Sequence, residues 1–200
     1  NAARKYGRIA QTGSQCRSSD ALREAVAWVK AGSIGKIQIA RGLCYKRRAS
    51  IGRTREPLVA PPEIDIDLWF GPAAKEPIHR RKLEYDWHWQ WAYGNGDLGN
   101  QGVHQMDIAR WFLGANGIAP RAWSVGGRLG YEDDGETPNT QIVYQDYAGA
   151  PLIFEVRGLP SKKDAPDSKD DKDMDRFMGV GIGCVIHCEG GHVVVPGYSE

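Results

Sequence analysis

The sequence has no excess of charge, no disulfide complement and no long apolar run. Lys+Arg total 26 and Asp+Glu 25 over 200 residues, a formal charge of +1. Binding nucleic acid or an anionic membrane needs clustered positive charge to release counterions, so this balance argues against both partners. Cys16, Cys44, Cys184 and Cys188 are too few for a disulfide framework. No stretch approaches the roughly 20 apolar residues of a bilayer span, and no basic, apolar and small-residue leader opens the sequence. The expected compartment is the cytoplasm, although an absent leader says little if the N-terminus is missing. The hydrophobic fraction of 41% is enough for a sizeable core, which excludes general disorder. What is abundant is glycine, at 25 residues, and tryptophan, at 7. Together they suggest many turns around a broad, rigid surface of the kind that holds polar ligands.

Both ends read as interrupted elements. Asn1 to Gly7 reads as the last turn of a helix closed by glycine, and Arg8 to Gly13 as a short strand. A helix end feeding a lone strand is half of an αβ unit. His192 to Pro196 is strand-like and stops four residues before the end of the sequence. The expectation is a piece of a longer protein.

Between the ends, Ser18 or Ser19 caps a predicted helix through Leu22, Val26 and Val29, with Asp20 early, Lys30 late and Gly32 as its stop. Lys36 to Tyr45 alternates as a half-buried strand ending in Lys46, Arg47 and Arg48. That triplet is either a solvated strand end or a contact for an anion or a sugar hydroxyl. Five prolines make residues 49–80 mostly irregular, with a helical turn near Asp65 to Pro72. If Tyr85 to Tyr93 is extended, Trp87, Trp89, Trp91 and Tyr93 share one face, as a sugar-stacking platform or as plain core. Five further strands are expected at Arg121 to Gly127, Gln141 to Tyr147, Pro151 to Arg157, Cys184 to Glu189 and His192 to Val195, with adjacent antiparallel pairing. Ser161 to Arg176, rich in Lys and Asp, reads as a solvated, mobile loop, with a DxD metal site as the sharper alternative. On a strand, Cys184 and Cys188 share a face that His187 leaves, so they read as buried thiols, and no metal is expected.

Gly94-Asn-Gly-Asp-Leu-Gly99 satisfies the G-x-G-x-x-G pattern of a dinucleotide loop. The acid expected roughly 20 residues later is missing, and the strands that follow lack crossover helices. A tight turn aiming the next helix is the better reading. On a helix from Leu98 to Leu113, Asn100, His104, Asp107 and Trp111 form one stripe among apolar flanks. Buried polar groups need partners. Either they bond one another, or Asp107 orients His104 for proton transfer while Asn100 positions a hydroxyl.

The run from Gly94 to Trp111, with Asn100, Gly102, His104 and Asp107, resembles the GGG-x-x-x-D-x-G-x-H-x-x-D signature of the glucose–fructose oxidoreductase, inositol dehydrogenase and MocA family. Gly13 to Arg17 resembles the end of that family's nucleotide domain, and Gly32-Ser-Ile-Gly-Lys-Ile37 the entry into its second domain. The resemblance implies an α+β fold. It would be an open-faced, mostly antiparallel sheet with helices on one side, preceded by the last strand of a Rossmann-type domain. The implied division is residues 1–17 as a nucleotide-domain remnant, 18–35 as a connecting helix, and 36–200 as a C-terminally incomplete substrate-binding and oligomerisation domain.

The same resemblance implies a substrate domain of an NAD(P)-dependent oxidoreductase acting on a sugar, cyclitol or polyol. His104 matches the active-site histidine. Asn100 stands where many members have Asp, and an amide cannot accept a proton as a carboxylate can. Asp107 completes the expected catalytic set. Lys46, Arg47, Trp89 and Gln101 are the expected substrate contacts, and Gln15 and Arg17 lie near the cofactor edge. The family's catalytic lysine and glycine fingerprint are absent from this sequence, so NAD or NADP is expected in the full-length protein and not on this chain alone, which would be inactive by itself. A homo-oligomer through the open sheet face is expected. The alternatives are a redox-assisted glycosidase and a non-catalytic sugar-binding or assembly domain.

Overall fold

The computed structural model describes residues 1–160 and 173–197. After a short helix α1 (Ala2–Lys5) and a 3-10 turn at Gln15–Ser18, Ser19 starts α2 (Asp20–Lys30). Its side chain accepts the Leu22 amide at 3.3 Å, satisfying one of the first-turn donors that a helix leaves unpaired. Leu22, Val26 and Val29 form the buried stripe. Ser19→Ala is expected to lower the stability of the chain by about 1 kcal/mol, measured by urea unfolding.

Six strands follow: β1 (Ile37–Tyr45), β2 (Arg121–Gly127), β3 (Thr140–Asp146), β4 (Leu152–Arg157), β5 (Ile182–Cys188) and β6 (Gly191–Pro196). They form one sheet in the order β2-β3-β4-β1-β5-β6. Adjacent strands pair antiparallel as expected from β2 to β4 and from β5 to β6. The exception is central: β1 runs parallel to β4 and antiparallel to β5. The long chain between β1 and β4 carries the remaining helices, α3 (Ile66–Phe70), α4 (Gly96–Asn100) and α5 (Gly102–Leu113).

One sheet face is covered by α2 and α5. Leu152, Phe154 and Val156 alternate toward them, with Ala40, Cys44, Val143, Cys184 and Ile186 from neighbouring strands. Ile108, Ala109 and Phe112 of α5 fill the other side of that core. Gly42 fixes how closely α5 approaches. A Cβ there would stand 3.0 Å from Gln105 Cβ and 3.1 Å from the Phe154 ring. Cys184 and Cys188 lie buried as free thiols on this face, and the Cys184 Sγ–H donates to the Gln105 carbonyl. Burial raises the Cys184 thiol well above its ordinary value.

The opposite face is partly open. Leu43, Tyr45 and Val185 are covered by Phe177, Val180 and Val194. Toward β2, Trp123, Val125 and Ile142 are exposed, and Trp123 stacks on Tyr144. The domain is an α+β open sheet with its helices on one side.

Four expectations are corrected. Arg8 to Gly13 forms no strand, because no described strand runs beside it to take its backbone groups. The helix expected from Leu98 to Leu113 is two helices meeting at Gln101, and Gly114, at φ +68°, ends the second. Tyr85 to Tyr93 is not extended: Asp86–Trp89 is a 3-10 turn, so its tryptophans do not share a face. The charged loop is anchored at its exit, where Met174 is buried and Asp175 pairs with Arg157. Residues 161–172 of that loop, where most of the alternative DxD site falls, lie outside the described residues. No metal-binding cluster occurs among the described residues.

Candidate functional site

The glycine turn sets the site because it lets two chain segments touch. A Cβ on Gly94 would lie 2.9 Å from the His88 Cα and from the Trp87 and His88 carbonyl oxygens, so only glycine fits. Gly96, at φ +62°, then opens α4 against Thr137. What precedes the motif is the 3-10 turn and not a strand, and its glycines serve close packing. They do not form the strand-to-helix phosphate loop of a dinucleotide site.

Asp97, between those glycines, is fully buried. Its carboxylate accepts from Arg48 Nε at 2.8 Å and Nη2 at 2.6 Å, and from Asn100 Nδ2 at 3.3 Å. Burial works against the Arg48 charge, but the Asp97 hydrogen bonds and charge overcome it, so the guanidinium holds its proton more tightly than usual. Arg48 also donates to the Tyr85 hydroxyl at 3.1 Å. Asn100 thus stands at one end of a hydrogen-bonded chain running through the buried Asp97 and Arg48 to the exposed Tyr85.

Asn100 lines a cavity of about 260 Å³ with Trp87, His88, Tyr93 and the glycine turn. The His88 ring stacks on Trp87 with centroids 3.9 Å apart. Its Nδ1 sits 2.5 Å from the Tyr85 carbonyl oxygen. A carbonyl can only accept, so Nδ1 carries the proton, and in the neutral ring Nε2 is the acceptor.

His104 lies on α5, one turn beyond Asn100 and across the break at Gln101. It is half-buried. Burial pushes its pKa below the usual histidine value, and the negative charge of Asp107 partly offsets this. The hydrogen bonds of Asp107 run to Arg17: Nε meets Oδ2 at 2.7 Å and Nη2 meets Oδ1 at 2.8 Å. The Arg17 guanidinium also lies over the Trp111 ring. Asp107 therefore acts on His104 through its charge, while its bonds tie the segment before α2 to α5.

The other expected site residues divide. Lys46 and Arg47 are half-buried just past β1, and Gln101 is buried at the helix break. Gln15 is exposed in the 3-10 turn that carries Arg17. Trp89 is a correction. It is 3% exposed, with the guanidinium groups of Arg48 and Arg128 over its ring at 5.2 and 5.7 Å, so no sugar can stack on it. Trp87 is the tryptophan that lines the Asn100 cavity. Sequence reasoning missed Asp97 and His88. The signal for Asp97 was an acid inside a glycine turn, next to a helix and downstream of an Arg-rich strand end.

An open, one-sided sheet carries a polar helix beside a half-enclosed cavity in an α+β domain. The model of the Gfo/Idh/MocA oxidoreductase family's C-terminal alpha/beta domain matches residues 25–167, and the chain belongs to that family. No curated protein matches the chain. Among solved structures, GenD2 from gentamicin A biosynthesis, in complex with NAD, superposes with a TM-score of 0.58 at 16% identity, covering 97% of this chain and 41% of that one. The WlbA dehydrogenase from Bordetella pertussis, in complex with NADH and UDP-GlcNAcA, gives 0.51 at 16% identity, covering 90% and 40%. A probable dehydrogenase from Thermotoga maritima gives 0.53 at 16% identity, covering 96% and 43%. Likeness at this identity is likeness of fold. The chain spans about two fifths of the length of these proteins. No helix among the described residues is long and apolar enough to cross a membrane.

Proposed function

We propose that this chain is the substrate-binding domain of an NAD(P)-dependent oxidoreductase acting on a hydroxyl of a sugar, cyclitol or polyol. The observation that carries the reading is the placement of His104, half-buried on α5 one turn beyond Asn100, where burial lowers its pKa and the Asp107 charge partly offsets this. His104 takes the hydroxyl proton. Asn100, held by Asp97, donates or accepts at a neighbouring hydroxyl. Lys46, Arg47 and Gln101 bind further polar groups. Trp87 takes the stacking role first assigned to Trp89, since it lines the cavity and Trp89 does not.

The described residues hold no dinucleotide cradle. What fits a cofactor is an edge: Gln15 and Arg17, on a segment pinned to the His104 helix by the Arg17–Asp107 pair. NAD or NADP, when bound in the full-length protein, would supply the hydride acceptor. On this reading residues 1–17 are the tail of the nucleotide domain, 18–35 the connecting helix, and 36–200 the substrate and oligomerisation domain. The exposed apolar group Trp123, Val125 and Ile142 supports self-association through the open face.

The test is an assay of the protein joined to its nucleotide domain, offering polyols and aryl glycosides with either nicotinamide. Accumulation of reduced nicotinamide with polyols is expected. Release of the aryl alcohol without it would replace this reading by the redox-assisted glycosidase.

A further inference from the structure

A second cavity, of about 340 Å³, opens just past β1. Arg47, Arg81, Lys82, Ser50, Tyr85 and Asp86 are among its walls. Its charges do not cancel. Arg48, which also reaches it, is neutralised by Asp97. Asp86 is buried, and desolvation raises its carboxyl while the Lys82 and Arg80 charges oppose the rise; it is one acid against Arg47, Arg81 and Lys82 in the wall. Asp133, which accepts from the Ser50 hydroxyl and the Ile51 amide, is paired to Arg128. Among the described residues, neither Arg81 nor Lys82 has a carboxylate within ion-pair distance. Arg81 is also placed. Its guanidinium lies against Gly52, where a Cβ would stand 3.0 Å from Cζ and the φ of +76° favours glycine.

We infer that this cavity is a subsite for an anionic oxygen group, a phosphate or a carboxylate, carried by the substrate. The inference rests on the substrate-domain reading. Planar guanidinium groups and an ammonium converging on one half-enclosed space are the donors that such a group takes in charge-assisted hydrogen bonds. Arg48 joins this space to Asn100 through Asp97, so the anion subsite and the Asn100 cavity share one buried scaffold. A phosphorylated or uronic-acid form of the ring is thus preferred over the neutral one.

Calorimetric titration of the 200-residue chain with inorganic phosphate, D-glucuronate and D-glucose tests this directly. Phosphate or glucuronate is expected to bind at least about tenfold more tightly than glucose. Arg81→Gln is expected to weaken that binding by about tenfold or more, since a hydrogen bond to a charged group is lost. Arg23→Gln, on the exposed face of α2, is expected to leave it unchanged. If Arg81→Gln unfolds the chain, Lys82→Gln takes its place. Glucose binding as tightly as glucuronate would overturn the inference. So would equal losses in the Arg23 and Arg81 variants, because they would reduce the effect to general charge. No hydride moves in this experiment, so its failure leaves the oxidoreductase reading standing, and failure of the turnover assay leaves anion binding visible.

Discussion

Arg48→Met is expected to cost about 3–5 kcal/mol of stability, because it leaves the Asp97 carboxylate fully buried without its cation. For a chain of this size that corresponds to a fall in Tm on the order of 10 °C in scanning calorimetry. The geometry explains the size. Two guanidinium nitrogens reach the two Asp97 oxygens, and the partners are 6% and 0% exposed, so water cannot replace the lost bonds. The loss also frees the Asn100 amide from its fixed acceptor and removes one of the two cations enclosing Trp89. The double variant Arg48→Met, Asp97→Leu is expected to be more stable than either single variant, since no orphan charge remains. Single losses below about 1 kcal/mol would show that the pair is solvated.

His104→Ala is expected to lower kcat by about 10²–10⁴ in the protein carrying its nucleotide domain, the usual contribution of a positioned acid–base group. The fold should survive, because His104 is only half-buried and the α5 core is built by Ile108, Ala109 and Phe112. The parent rate should fall as pH drops through a pKa below the usual histidine value, because the base must be neutral to act. Stability has the same sign. A histidine with a lowered folded pKa binds fewer protons when folded, so stability is full above the ordinary histidine pKa and declines as pH falls through the interval beneath it. The alanine variant should lose both dependences. A change in kcat below about threefold would remove His104 from the chemistry.

What the sequence revealed was local. The Ser19 cap, the Leu22, Val26 and Val29 stripe and the Gly114 stop fall where their spacing places them, since each depends on neighbours within a turn or two. The six strands of the sheet follow from two-residue alternation and lie within a few residues of where it places them, whereas Arg8 to Gly13 forms no strand. The parallel pairing of β1 with β4 was hidden, because it joins residues more than a hundred positions apart. The same distance effect hid the site's wiring. Arg17 and Asp107 are 90 positions apart and Arg48 and Asp97 are 49, and no local pattern links them. The helix stripe suggested Asp107 for His104, yet Arg17 takes the hydrogen bonds. Alternation suggested an aromatic face, yet the close approach allowed by Gly94 draws His88 and Trp87 into a tight turn and buries Trp89.

The central claim is hydride transfer from a carbinol carbon held by this domain. A polyol deuterated at that carbon, turned over by the protein with its nucleotide domain, tests it most directly. The expected result is one deuterium on the nicotinamide ring of the reduced cofactor for each substrate oxidised, with the proton lost to His104. Reduced cofactor carrying no deuterium, or product formed with no reduced cofactor, would contradict it.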